Sequence, residues 1–191
     1  MEILKGLILK NRSYRRFFQE KPSKLEILRE LINLARLSPS ASNLQPLKYI
    51  LSNDPKKNDL IFPHLAWAGY LKDWPGPSEG ERPSAYIIIL GDTKISKSFG
   101  CDHGIAAQTI LLGATEKGLG GCMIASIDEA GLRKALEIPN QYEILLVLAL
   151  GKPKEKVKVE KVGPSGDIKY WRDKEGIHHV PKRSLQEIIL D

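Results

Sequence analysis

Apolar residues early in the chain fall at Ile3, Leu4, Leu7 and Ile8, a helical spacing that predicts a short amphipathic helix ending near Asn11. Ser23, followed three residues later by Glu26, reads as a capping box, in which each side chain satisfies an orphan backbone N–H of the first turn. The helix it would open carries Leu25, Leu28, Leu31, Ile32 and Ala35 on a broad apolar face, and Pro39 stops it by disfavouring helical geometry at Ser38. Two runs have strand character: Lys48 to Leu51, and Ala85 to Leu90, where Tyr86, Ile87, Ile88 and Ile89 suit a strand buried on both sheet faces. Between them Pro63, Pro75, Pro77 and Pro83 predict broken helix and loop around Trp67, Tyr70 and Trp74.

Asp102 to Lys117, rich in Ala, Leu, Ile and Gln, predicts a central helix with Gly118 as its left-handed C-terminal cap. Gly120 to Ile124 reads as a short strand, Ser126 with Glu129 as a second capping box opening a helix to about Leu136, and Ile144 to Leu150 as a fully buried strand. From Lys152 the chain turns charged and irregular until Leu185 to Leu190, an arm that needs something to pack against. The order of elements predicts a mixed sheet with helices on both faces, in a single domain.

Composition narrows the class without naming a function. With 42% hydrophobic and 27% charged residues, the chain has neither the charge excess of disorder nor the glycine period of a fibre. Its longest apolar run, Ile144 to Leu150, falls far short of the roughly 20 residues that cross a bilayer. The opening MEILKGLILKNR carries Glu2 and Lys5 and no small-residue cleavage site, so a cytoplasmic location is expected. Cys101 and Cys122 have no close-spaced set of thiols and histidines around them that would read as a zinc site; both read as buried thiols, and no metal site is expected. The net charge of +6 would suit nucleic acid, an acidic membrane or a phosphorylated small molecule. No basic run exceeds two residues and no nucleic-acid motif occurs, so neither a nucleic acid nor a membrane is the expected partner.

Three stretches carry candidate chemistry. In Asn11-Arg12-Ser13-Tyr14-Arg15-Arg16-Phe17, Arg12 and Arg15 flank a hydroxyl, and guanidinium groups hold phosphate oxygens through paired charge-assisted bonds. The same residues would equally serve as a solvated helix end. Ser38-Pro39-Ser40-Ala41-Ser42-Asn43-Leu44-Gln45-Pro46 offers uncharged donors and acceptors able to read the edge of a heterocycle, or is a plain turn. Gly118 to Ser126 supplies small residues for close backbone approach and free N–H groups at a helix start, or a tight turn. Neither G-x-G-x-x-G spacing nor a P-loop is present.

Taken in order, these stretches resemble the flavin-dependent nitroreductase family. R-S-x-R-x-F after a first helix, S-P-S-x-x-N-x-Q-P ending the next, and an apolar helix followed by G-L-G-x-C match its pattern from about Lys10 to Ser184. The resemblance implies an α+β fold with a mixed, largely antiparallel central sheet flanked by helices on both faces. It further implies a homodimer holding FMN at its interface, residues 152–191 forming a C-terminal arm that packs on the core or on the partner subunit. Arg12, Ser13 and Arg15 match positions that hold the phosphate and the pyrimidine edge. Pro39, Ser40, Ala41, Ser42 and Asn43 match a segment supplied from the partner; Ile124, Ala125 and Ser126 match the backbone beside the flavin N5; Lys182 and Arg183 match a late basic pair returning to the phosphate. Three positions depart from the pattern: Asn11 stands where an arginine is frequent, Leu47 where an aromatic commonly follows Q-P, and Ala125 where some members carry a carboxylate.

The activity so implied is hydride transfer from NADH or NADPH through FMN to a small electron-poor acceptor such as a nitroaromatic or quinone. The redox chemistry belongs to the cofactor, so no catalytic side chain is expected. Trp67, Tyr70, Trp74, Tyr170 and Trp171 are candidates for a wall or lid over the ring, and equally for core packing. Asp102 reads as a helix cap, His103 as a packed residue, and the adjacent His178 and His179 have no convergent partners for a metal. Rival readings are a flavin-binding sensor or redox partner without turnover, and a related flavin chemistry such as reductive dehalogenation.

Overall fold

In the computed structural model, which describes residues 2–190, the alternation of side chains along two central strands builds the core. The elements run α1 (Glu2–Lys10), α2 (Leu25–Arg36), β1 (Leu47–Ser52), α3 (Pro55–Ile61), β2 (Ala85–Asp92), α4 (Asp102–Glu116), β3 (Gly120–Ile124), α5 (Glu129–Ala135) and β4 (Tyr142–Gly151). A four-stranded sheet in the order β1-β2-β4-β3 is antiparallel at every pairing. Ile87 and Ile89 of β2 and Leu146, Leu148 and Leu150 of β4 face Leu28 and Leu31 of α2 and Ala107 and Ile110 of α4. Tyr86, Ile88 and Leu90, with Val147 and Ala149, face Ile61 of α3 and Leu132 of α5. A strand buried on both faces needs no polar alternation, which is why β2 reads as a continuous apolar run.

The mixed-sheet expectation therefore resolves into an antiparallel central sheet with helices on both faces. The region after Lys152, expected to be irregular, instead folds as β5 (Val157–Lys161), β6 (Trp171–Arg172) and β7 (His178–Lys182), ordered β5-β7-β6, before α6 (Leu185–Ile188). β5 pairs with β7 in parallel across the intervening chain. Its short strands carry many charged residues and only a weak apolar face, so hydrophobic patterning misses them.

Neither expected capping box forms. The Ser23 hydroxyl is buried against that of Ser84 at 3.0 Å, leaving Lys24 at the N-cap of α2 with no side-chain bond. At α5 the cap is Asp128, whose carboxylate accepts from the Gly131 N–H at 3.0 Å; Ser126 lies two residues too early. The box that does form is Ser184 with Glu187, at the start of α6. Cys101, expected to be buried, is exposed at the N-cap of α4, whereas Cys122 is buried as expected.

Gly121 of β3 leaves no room for a side chain: a Cβ there would lie 2.6 Å from Leu111, 2.7 Å from Leu150 and 2.8 Å from the Ala149 carbonyl. Gly121→Ala is expected to destabilise by about 1–3 kcal/mol, read as a lower urea midpoint, because overpacking a filled core displaces its neighbours. An unchanged midpoint would mean that β3 can move away from α4.

Candidate functional site

After α1 the chain runs extended beside β3. Ser13 bridges Gly121 in parallel, and the Tyr14 N–H donates to the Gly121 carbonyl at 3.0 Å. Two carboxylates hold this segment. Glu81 accepts from Arg16 Nε and Nη2 at 2.5 and 2.6 Å and from Lys154 Nζ at 3.0 Å, and these bonds, the Arg16 pair foremost, hold its carboxyl down at about 2. Glu155 is buried; its Oε1 accepts from the backbone N–H groups of Arg15 and Arg16, and its Oε2 from Arg172 Nη2 at 3.0 Å. With Arg16 bound to Glu81 and Phe17 in the core, Arg12 and Arg15 are the guanidinium groups left to line the cleft.

Arg15 is fixed from three sides: Nη1 donates to the Ser13 carbonyl at 3.3 Å and to His178 Nε2 at 3.3 Å, and the guanidinium lies 4.9 Å from the Tyr170 ring centroid. A guanidinium only donates, so His178 Nε2 is the acceptor and Nδ1 carries the proton. Burial, with Arg15 and Arg172 nearby, pushes the His178 pKa down to about 4, and the ring is neutral at pH 7. Arg12 Nη2 donates to the Ile8 carbonyl at 2.6 Å, while its Nε is buried with no partner.

Two adjoining cavities share Arg15, Met123 and Tyr170 and so form one cleft. The larger, about 350 Å³, is lined by Arg12, Ser13, Gln108 and Lys182. The smaller, about 230 Å³, is lined by Trp67, Cys122, Ile124, Ala125 and Ser126. No acidic side chain lines either cavity among the described residues. Cations at one end and apolar and aromatic surface at the other suit a ligand with an anionic group and a flat, largely neutral ring.

The first motif, the third and Lys182 are thus brought together, whereas Arg183 turns to α6 and lies 3.7 Å from Glu187. The second motif lies elsewhere. Pro39 and Ser40 line a separate cavity of about 180 Å³ against α4, and Ala41, Ser42 and Asn43 form an exposed 3-10 turn. Of the candidate aromatics, Trp67 and Tyr170 line the cleft, and Tyr70 packs on Tyr170 with centroids 4.9 Å apart. Trp74 sits under Arg172, 4.7 Å from its ring centroid, and Trp171 stacks on His179 at 3.9 Å. Asp102 does not cap its own helix but holds Ser40 and Ala41.

Glu155 and Gln108 gave no signal in the sequence, and His178 was weighed there only as a metal ligand, not as a partner of Arg15. A usable signal was the position of His178 one residue from His179, since neighbours on a strand point to opposite faces. His178 faces the cleft, and His179 is held between Glu160 (Nδ1, 2.7 Å) and Asp173 (Nε2, 2.9 Å). Asp173 first and Glu160 second raise the His179 pKa. The two shifts oppose each other on one strand. His179 contributes stability below its unfolded pKa of 6.5 and loses it as the pH rises through the higher folded value. The His178 site weakens the fold as the pH falls from 6.5 to about 4, because only the unfolded chain takes up that proton. Amide exchange across β5, β6 and β7 is therefore expected to be slowest near pH 6.5, after correction for intrinsic rates. Protection that rises steadily across this range would contradict the assignment.

Comparisons with known proteins bear on the family and the fold. Residues 8–152 match the model of the nitroreductase family. An iodotyrosine deiodinase from Thermotoga neapolitana is 26% identical over 171 residues, covering 80% of this chain and 90% of that protein. The crystal structure of a nitroreductase family protein from Clostridium novyi superposes with a TM-score of 0.67 at 25% identity, covering 96% of this chain and 97% of the other. An FMN-dependent nitroreductase from Clostridium difficile gives a TM-score of 0.62 at 25% identity, covering 80% and 88%. The antiparallel sheet clad by helices on both faces and a match spanning most of the sequence agree: the chain belongs to the nitroreductase family of NAD(P)H-dependent flavin oxidoreductases.

Proposed function

We propose that the protein is a homodimeric FMN enzyme that oxidises NADH or NADPH and reduces a small electron-poor acceptor such as a nitroaromatic or quinone. The observation that carries this reading is the single cleft in which Arg12, Ser13, Arg15 and Lys182 meet the backbone of Ile124 to Ser126 with no acidic side chain among the described lining residues. When bound, FMN supplies the hydride chemistry between nicotinamide and acceptor. Arg12 and Lys182 would hold its phosphate, Ser13 and Arg15 the phosphate and pyrimidine edge, and Ile124, Ala125 and Ser126 the neighbourhood of N5. Arg183 would join the phosphate only by leaving Glu187.

The chain's own groups have defined tasks. Arg15, kept in place by neutral His178 and by Tyr170, presents a fixed positive charge where negative charge would gather on a reduced ring. Trp67 and Tyr170 wall the smaller cavity with aromatic surface. The Cys122 thiol is pushed up by burial and stays protonated, so it supplies no nucleophile.

Pro39, Ser40, Ala41, Ser42 and Asn43 do not line this cleft, and we assign them to the site of a partner subunit. Large apolar side chains left in solvent support a second copy: Ile3 at 82% and Leu9 at 57% exposure on α1, Leu185 at 66% on α6, and Leu190 at 96%. In this reading residues 1–191 form one domain whose arm, 152–191, packs through β7 on its own cleft and through α6 on the partner. No helix among the described residues is long and apolar enough to cross a membrane, which suits a protein working in the cytoplasm.

An absorption spectrum of the freshly purified protein, followed by anaerobic NADH or NADPH, tests the reading. Bound yellow flavin that bleaches and is reoxidised by a nitroaromatic or quinone is expected. A colourless protein that takes up no added FMN overturns it, and flavin that never bleaches indicates a sensor without turnover. The iodotyrosine deiodinase relative makes reductive dehalogenation the second acceptor chemistry to assay, with a halogenated tyrosine as oxidant.

A further inference from the structure

The 39–45 loop, three of whose residues have positive φ, is tied to the start of α4 by one buried carboxylate. We propose that Asp102 is the positioning residue for this loop, presenting Ser42 and Asn43 to the cofactor of the partner subunit, a role that rests on the flavin reading above. Asp102 is the first residue of α4 and only 4% exposed, and the free N–H groups of the helix start favour its negative charge. Its Oδ2 accepts from the Ser40 hydroxyl at 2.6 Å and its Oδ1 from the Ala41 N–H at 3.0 Å. The same Ser40 oxygen accepts from the Gln45 N–H at 2.9 Å. One carboxylate thereby closes the loop on itself: the hydroxyl proton is committed to Asp102, and an oxygen lone pair to Gln45.

The enclosed residues need such a hold. Ser42, Asn43 and Gln45 have φ of 51°, 53° and 51°, the left-handed region that side chains with a Cβ disfavour. Strain of this kind persists only where the surroundings over-determine it. Ala41, Ser42, Asn43 and Leu44 are exposed, so no packing from above restrains them. A second tie, between the Ser38 and Thr109 hydroxyls at 3.0 Å, fixes only the entry to the loop. Asp102 is accordingly not a catalytic residue; it acts through the backbone and the Ser40 hydroxyl.

Asp102→Asn preserves shape and removes the paired acceptors. Its amide oxygen can keep the Ala41 N–H, but its NH2 turns the Ser40 hydroxyl from donor to acceptor, so the charge-assisted bond from Ser40 is lost and its proton must find another partner. In the protein freed of flavin, hydrogen exchange over 40–45 is expected to quicken about tenfold or more, with β2 and the body of α4 unchanged. FMN affinity should fall about tenfold, while kcat at saturating FMN stays near that of the unsubstituted protein. Ser40→Ala, which keeps the carboxylate and its Ala41 bond, should release the Gln45 amide alone, and reads the relay even if the first variant aggregates. Unchanged exchange over 40–45, or quickened exchange with unaltered FMN affinity, overturns the positioning role while leaving the flavin reading intact. An unsubstituted protein that binds no FMN overturns both.

Discussion

Glu155→Ala is expected to lower the unfolding free energy by about 3–5 kcal/mol, the cost typical of removing one partner from a buried charge pair. The Glu155 side chain is 1% exposed and joins three parts of the chain: the backbone of Arg15 and Arg16, the guanidinium of Arg172 in β6, and its own position just before β5. Alanine leaves the Arg172 charge, with a side chain 16% exposed, facing two orphaned backbone donors instead of a carboxylate. Glu155→Gln should cost less, because the amide oxygen still accepts from the backbone, although its NH2 then opposes Arg172. Urea denaturation measures the difference, and exchange of β6 and β7 should rise in the same variants. A loss under about 1 kcal/mol would show that Glu155 is not the joint between the C-terminal sheet and the cleft.

The second large effect concerns Arg15. Arg15→Ala should weaken FMN binding by about 1.5–3 kcal/mol, roughly tenfold to a hundredfold in Kd, the worth of a hydrogen bond to a charged group. Arg12→Ala should act in the same range, and its FMN titration alongside Arg15→Ala assigns each guanidinium. Lysine at position 15 should restore charge but only part of the affinity. A single ammonium cannot at once bond the Ser13 carbonyl and His178, lie flat over Tyr170 and present a fork to the ligand. Equal affinity in Arg15→Ala and the unsubstituted protein would remove Arg15 from the binding site. Both experiments are done by titrating flavin-free protein, so they are independent of the acceptor.

The strongly patterned elements were readable in one dimension. β3 spans Gly120–Ile124 as the sequence predicts, β2 extends the expected run by two residues to Asp92, and α4 ends one residue short of Lys117, with Gly118 at φ +72° as its left-handed cap. Each of these is set by local chemistry: a β-branched run, an alanine-rich helix, a glycine able to take positive φ. The helix starts at α2 and α5 were less readable, since a serine three residues before a glutamate competes with other partners. Ser23 found Ser84, 61 positions away, and Asp128 stood nearer the helix than Ser126.

For the site, residue types and spacing offered Arg12, Ser13, Arg15 and the stretch from Gly118 to Ser126 as candidates, because cations beside a hydroxyl and small residues after a helix carry their chemistry wherever they fold, whereas Lys182 came only with the family resemblance. What no local pattern contained was which of these would meet. Arg15 and His178 lie 163 positions apart and touch where Glu155 ties Arg172 of β6 to the extended segment. Likewise Asp102 looked like a cap and became a clamp, since its role depends on a loop 61 residues earlier being folded against α4. Residue chemistry is a local property carried by the chain, whereas proximity and the opposite pKa shifts of His178 and His179 arise from burial and long-range pairing, which exist only once the sheets have closed.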